Sequence, residues 1–305
     1  MTETTLAVLP SRRILGMRVD ATSYQDASRR IIDWARTRDS RYVCVATVNN
    51  VMHARDDGGY MDVMNGADLV TPDGMPLVWG LRWLGVDGAT RVYGPDLMPV
   101  VLAMAEASGT AVGFYGGTPV SLDALLRAVR SRWPGVNIAY AYSPPFRSLT
   151  LTEEEGIVDD IERSDARVLF VGLGCPKQEL WMARHRGKVP AVMIGVGAAF
   201  DFLAGTKRQA PPTLQRAGLE WVFRLATEPR RLAARYLRQN PRFVMLFGGQ
   251  MIGAAIGAGH RSTTHDRRDG ASDDATTSDG SGGRRIHRSP HGEVPQGRGV
   301  LGPGR

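Results

Sequence analysis

Cysteine is scarce in this chain of 305 residues, with Cys44 and Cys175 the whole complement. Two thiols cannot build a disulfide framework, and each lies in an apolar stretch, Cys44 in YVCVATV and Cys175 just after RVLFVGLG. A reducing compartment fits that usage. The opening MTETTLAVLPSRRILG carries acid early and lacks a continuous apolar region, so no secretory signal is expected. Long hydrophobic runs are missing too. The nearest is Phe243–Gly259, FVMLFGGQMIGAAIGAG, 17 residues with five glycines and one glutamine. That is the short end of the ~17–25 residues a spanning helix needs. It reads better as an interfacial or packed segment.

Several chemical signatures are also absent. The six histidines show no metal-ligand spacing; His260, His265, His287 and His291 fall in the polar tail, and His53 and His185 read as surface or half-buried residues. The turn G-L-G-C-P-K at Gly172 fails the G-x-G-x-x-G pattern of dinucleotide enzymes, and no Walker loop occurs. No Asp-x-Asp pair ends a core strand to hold a divalent ion. Neither a cofactor nor a metal is therefore expected. A sugar nucleotide handled here would have its leaving diphosphate stabilised by arginine and backbone N–H groups.

What is present is a core of ordinary size, 43% apolar overall, with charge of one sign concentrated in one place. Residues 1–206 hold 21 Lys/Arg against 23 Asp/Glu, whereas residues 207–242 hold 9 against 2. The surplus implies an anionic partner, whether nucleic acid, membrane surface or phosphorylated ligand. Duplex binding fits poorly, because the core is slightly acidic and the basic residues are interleaved with Leu219, Trp221, Val222, Phe223, Leu225, Leu232 and Tyr236. That mixture is the composition of an interfacial amphipathic segment, with an anionic membrane surface as its partner.

Six short β-branched runs, 42–48, 68–71, 111–115, 136–141, 167–171 and 191–196, read as strands. Helical spacing lies between them at 96–108, 119–133, 152–164 and 176–186. The pattern predicts an α/β fold, a Rossmann-like and mainly parallel sheet covered by helices on both faces. Three regions are expected: an α/β core over 1–206, a basic helical appendage over 207–247, interrupted at Pro229, and over 248–305 the Gly-rich apolar stretch followed by a disordered polar tail.

In such sheets ligands bind at the carboxyl ends of the strands, which singles out four clusters. Thr47-Val48-Asn49-Asn50 ends a strand with a hydroxyl and two amides. Asp73, in TPDGMP, puts a carboxylate on a tight turn at the sheet's mouth, or else caps the helix beginning near Met75. Arg91 precedes a Gly-Pro-Asp helix start, where an anion could meet guanidinium and helix N-terminus together, or it is a solvated side chain beside a capped helix. The glycines Gly172 and Gly174 would let a ligand approach the backbone before the helix that carries Gln178.

Six ordered motifs, TVNN, ADLVTPDGMPLVW, RVYGPDL, FVGLGCPKQELW, GVGAAFDFLAGTKRQAP and GLEWVFRLATEPRRLAARYL, resemble the bacterial WecG/TagA/CpsF glycosyltransferases in order and spacing. The resemblance covers roughly residues 14–245. It implies an inverting transferase that moves N-acetylmannosamine, or its uronic acid, from a UDP-sugar donor. The acceptor would be an undecaprenyl-diphosphate-linked N-acetylglucosamine, in cell-surface polymer synthesis at the cytoplasmic face of the membrane. It makes Asp73 the candidate general base, with Thr47 and Asn49 positioning the sugar and its phosphate. Arg91 and Gln178 would hold the diphosphate or donor sugar. Asp201 would belong to the nucleotide pocket, or else cap a helix. Arg224, Arg231 and Arg235 match basic positions of the family's C-terminal appendage, facing the membrane and the lipid diphosphate. The extension after about Phe247 lies outside the resemblance.

Overall fold

The computed structural model describes residues 7–266. The chain divides into two compact units, Met1–Ala255 and Ile256–Arg305, and apart from the part of the last helix beyond Ala255 the features below belong to the first. Strands β1 (Ser11–Ile14) and β2 (Met17–Asp20) form an antiparallel hairpin. They are followed by α1 (Tyr24–Arg36), β3 (Arg41–Ala46), α2 (Val48–Asp56), α3 (Gly58–Gly66), β4 (Leu69–Pro72) and α4 (Met75–Trp83). The alternation continues with α5 (Gly94–Ser108), β5 (Val112–Gly116), α6 (Pro119–Arg132), β6 (Ile138–Tyr142) and α7 (Leu151–Arg163). Next come β7 (Val168–Gly172), α8 (Lys177–His185), β8 (Val192–Gly195) and α9 (Ala199–Leu203). The C-terminal helices are α10 (Pro212–Arg216), α11 (Glu220–Thr227) and α12 (Pro229–Asp266). The remainder of the polar tail expected to be disordered lies outside the described residues.

Strands β3 to β8 make one parallel sheet in the order β4-β3-β8-β7-β5-β6. This is the doubly covered sheet that the six β-branched runs predict. Because side chains alternate across a strand, the sheet divides its apolar residues between two cores. Tyr42, Cys44, Ala46, Leu169, Val171 and Met193 pack on one face with α2, α3, α4 and α8. Val43, Val45, Val168, Phe170, Val192 and Ile194 pack on the other with α1, α5 and α6.

One strand end differs from expectation. β3 stops at Ala46, and Thr47 is the N-cap of α2 in extended conformation. Asn50, three residues on, reaches back so that its Oδ1 accepts from the Thr47 N–H at 3.0 Å and from its hydroxyl at 2.8 Å. Helix capping here competes successfully with strand extension.

The C-terminal helices are tied to the same core. Leu232, Phe243 and Phe247 of α12 are buried, and Phe247 stacks on Trp83 of α4 at 6.1 Å. Gln250 accepts from the Leu15 N–H and donates to the Arg13 carbonyl, both at 2.8 Å. The start of the Phe243–Gly259 stretch is thus a packed segment. Among the described residues no helix is long and apolar enough to cross a membrane.

Candidate active site

A cavity of about 260 Å³ opens where the carboxyl ends of β3, β4, β7 and β8 meet the C-terminal helices. Thr47 and Asn49 enter from the β3 end, Asp73 from the β4 end, and Gly174 and Gln178 from the turn after β7. Arg91 lies just ahead of α5, and Arg224, Arg235 and Gln239 come from α11 and α12. Residues as far apart in the chain as Val45 and Asn240 thus meet at the predicted end of the sheet.

Asp73 sits directly after β4, with its N–H bonded to the Ala46 carbonyl at 2.9 Å. It does not cap the following helix. The N-cap of α4 is Gly74, and no side chain caps it. The carboxylate instead faces Arg91, whose Nη2 lies 3.3 Å from Oδ1, with both side chains 15% exposed. Loss of water raises the Asp73 pKa from 3.8 to about 7. Arg91 pulls it down and the Glu220 carboxylate pushes it further up. A carboxylate poised near neutrality can accept a proton at physiological pH. Arg91 itself is no solvated side chain. Its Nε donates to the Asp73 carbonyl, Nη2 also pairs with Glu220, and its plane lies 4.1 Å from the Tyr93 ring.

A second group of residues locks the two loops of the site together. The side-chain amide of Asn50 donates to Tyr60 Oη at 2.9 Å and to Glu179 Oε1 at 3.2 Å. Gln178 Nε2 donates to the same Glu179 oxygen at 2.9 Å, while Gln178 Oε1 accepts from the Gly174 N–H at 3.1 Å. Glu179 is fully buried, and burial raises its pKa. Asn49 donates to Cys175 Sγ at 3.2 Å; both cysteines are free thiols. Asn49, Asn50 and Gln178 stand in the strand-end clusters legible from sequence, but the parts played by Glu179 and Tyr60 do not show there. What the cluster does not reveal is that Asn50 turns back onto the Thr47 cap.

The two glycines of the turn have different duties. A Cβ on Gly172 would stand 2.7 Å from the Phe200 ring, so that glycine is required by packing. Gly174 has φ +78° and open space around its α-carbon, so it is the one that makes the turn and leaves room beside it.

Several buried polar atoms on the cavity wall have no hydrogen-bond partner among the described residues: Asn49 Oδ1, Arg224 Nε, Arg235 Nε and Gln239 Oε1. Such atoms are rare in folded interiors, and their gathering in one cavity marks a seat for a polar ligand. Arg231 also lies on α12, but its side chain is outside what is described.

A larger cavity of about 590 Å³ adjoins the first, and Gly174, Gly197 and Ala198 line both. Gly172, Asp201, Lys177, Arg184 and Lys207 lie along it. Asp201 is inside α9, whose N-cap is Ala198, so it is no helix cap. It accepts from Ser121 Oγ at 2.7 Å and pairs with Lys207 at 2.8 Å. His185, read from sequence as surface or half-buried, is buried and stacked on Trp181 at 4.3 Å. Among the described residues no group of three His, Cys, Asp or Glu side chains could hold a metal ion.

Residues 12–255 match the Glycosyl transferase WecG/TagA/CpsF family. One curated relative is the N-acetylglucosaminyldiphosphoundecaprenol N-acetyl-beta-D-mannosaminyltransferase of Bacillus spizizenii. It is 30% identical over 204 residues, covering 67% of this chain and 77% of the relative. The protein of the same name from Staphylococcus aureus is 28% identical over 234 residues, covering 76% and 89%.

Proposed function

Because the chain belongs to the WecG/TagA/CpsF family of glycosyltransferases, we propose that it transfers N-acetylmannosamine, or its uronic acid, from a UDP donor to N-acetylglucosamine carried on undecaprenyl diphosphate. The names of its relatives support the mannosamine unit and that acceptor. The observation that carries the reading is the Asp73 carboxylate, held beside Arg91 at a strand end in a cavity that adjoins a second, larger one.

In the reaction Asp73 takes the proton of the acceptor hydroxyl as that oxygen attacks the anomeric carbon. The bond from that carbon to the diphosphate oxygen breaks on the opposite side, so the configuration inverts and UDP leaves. Lys177, the Gly174 turn and the start of α8 suit a departing diphosphate electrostatically. Asp201 and Gly172 lie along the larger cavity, which has room for the nucleotide. Thr47, Asn49 and Gln178 serve the sugar. Arg224 and Arg235, lining the smaller cavity with unpaired Nε atoms, suit the diphosphate of the lipid acceptor. The exposed Leu219, Trp221, Leu237, Val244, Met245 and Ile252 suit peripheral contact with the membrane that carries it.

The test is UDP release from a panel of UDP-sugars in the presence of a short-chain lipid diphosphate N-acetylglucosamine. Acceptor-dependent release with UDP-N-acetylmannosamine or its uronate is expected. Release that ignores the acceptor, or that favours an unrelated hexose, would refute the assignment. With arginine, lysine and backbone N–H groups available to the diphosphate, turnover is expected to persist in excess EDTA. Strict dependence on added Mg²⁺ or Mn²⁺ would show that the leaving group is stabilised otherwise.

A further inference from the structure

Arg91 stands between two carboxylates that are far apart in the chain. Its Nη2 lies 3.3 Å from Asp73 Oδ1 and also pairs with Glu220 Oε2. Its Nη1 approaches Gln215 Oε1 at 3.5 Å. Glu220 opens α11 and Gln215 belongs to α10, so one guanidinium ties both short helices to the site. The pair is not a surface ornament: the Arg91 and Glu220 side chains are 15% and 12% exposed. Exposed ion pairs contribute little, but removing one partner of a largely buried pair leaves the other charge uncompensated.

We propose that Glu220 is a positioning residue for the base: by sharing Arg91 with Asp73 it fixes the start of α11 over the site and loosens the arginine's hold on the carboxylate. Docking of the C-terminal helices and protonation of Asp73 are thereby coupled. The proposal rests on Asp73 being the base. The charged and titratable groups facing Asp73 are Arg91 and Tyr93 ahead of α5, Glu220 and Arg224 on α11, and Tyr24 on α1. Of these only Glu220 is a second carboxylate. Without it, the Arg91 ion pair is left with Asp73, and the base ionises at lower pH.

Glu220→Gln keeps the shape and removes the charge, and is compared with the wild type as the full chain. The acidic limb of kcat/KM is expected to move down by at least about half a pH unit, with the plateau roughly tenfold lower from the lost charged contact. Amide hydrogen exchange across 212–227 should accelerate. Arg91→Gln should accelerate the same amides, and the double variant should exchange no faster than Arg91→Gln alone. An acidic limb that stays where it is, or wild-type exchange over 212–227, overturns the proposal. Full activity in Asp73→Asn would instead refute the base assignment, and the exchange rates would still decide whether Glu220 holds α11.

Discussion

Asp73 lies under opposing influences, and their balance makes it useful. Desolvation favours the protonated acid, Arg91 favours the carboxylate, and the result is a group that titrates at about 7. As the proposed base it must be ionised, so kcat/KM should rise with pH through that value. Asp73→Asn preserves the shape without the proton acceptor and should lower kcat by at least ~10²-fold, with donor binding retained. Activity within a few-fold of wild type would remove Asp73 from the mechanism. Stability runs the other way. The folded protein binds this proton more tightly than the unfolded chain, so the stabilisation is complete below pH 3.8 and is lost as pH rises to about 7. Thermal melts of Asp73→Asn should therefore gain on wild type between pH 4 and pH 8. A Tm difference independent of pH would contradict the raised pKa.

At the scale of elements, the site depends on how β3 hands over to α2. Asn50 satisfies the Thr47 N–H and joins Tyr60 to the buried Glu179. Asn50→Ala should cost roughly 2–3 kcal/mol in urea unfolding, from a weakened cap and unpaired buried groups. An unchanged urea midpoint would mean that the network is dispensable. This handover also marks the limit of what can be read from sequence. The inner sheet strands announce themselves because they are buried on both faces and so read as continuous apolar runs, whereas the edge strand β6 is only partly buried. The β1–β2 hairpin escapes because its strands are four residues long and rich in arginine. Helix α1 is legible in principle, from the spacing of Ala27, Ile31, Ile32 and Ala35. Asp73, Arg91 and Gln178 were found because they end strands or open helices. Glu179 and Glu220 were missed because their importance lies in partners 129 residues distant, Asn50 and Arg91.

Across the whole molecule, the C-terminal helices present two surfaces, to which the proposed function gives separate tasks. A charge-only view makes residues 207–242 a single adhesive patch, since each Lys/Arg near an anionic surface contributes ~1 kcal/mol. Arg224 and Arg235 nevertheless line the smaller cavity, and Arg242 is ion-paired with Asp56 on α2. Leu237, Val244, Met245 and Ile252 of α12 are 65–73% exposed. Ending the chain at Gly205 would confuse these tasks, because it would also strip Leu232, Phe243 and Phe247 from the core. Substitutions in the full chain keep them apart. Arg224→Glu with Arg235→Glu should abolish most transfer, even to a short, water-soluble acceptor, while sedimentation with phosphatidylglycerol-rich vesicles weakens less. Leu237→Ser with Met245→Ser should do the reverse, releasing the protein from vesicles and sparing turnover of the soluble acceptor. If the arginine pair alone controls vesicle binding and the apolar pair has no effect on it, α12 does not carry the membrane-facing surface. The two arginines would then belong to the bilayer rather than to the acceptor's diphosphate.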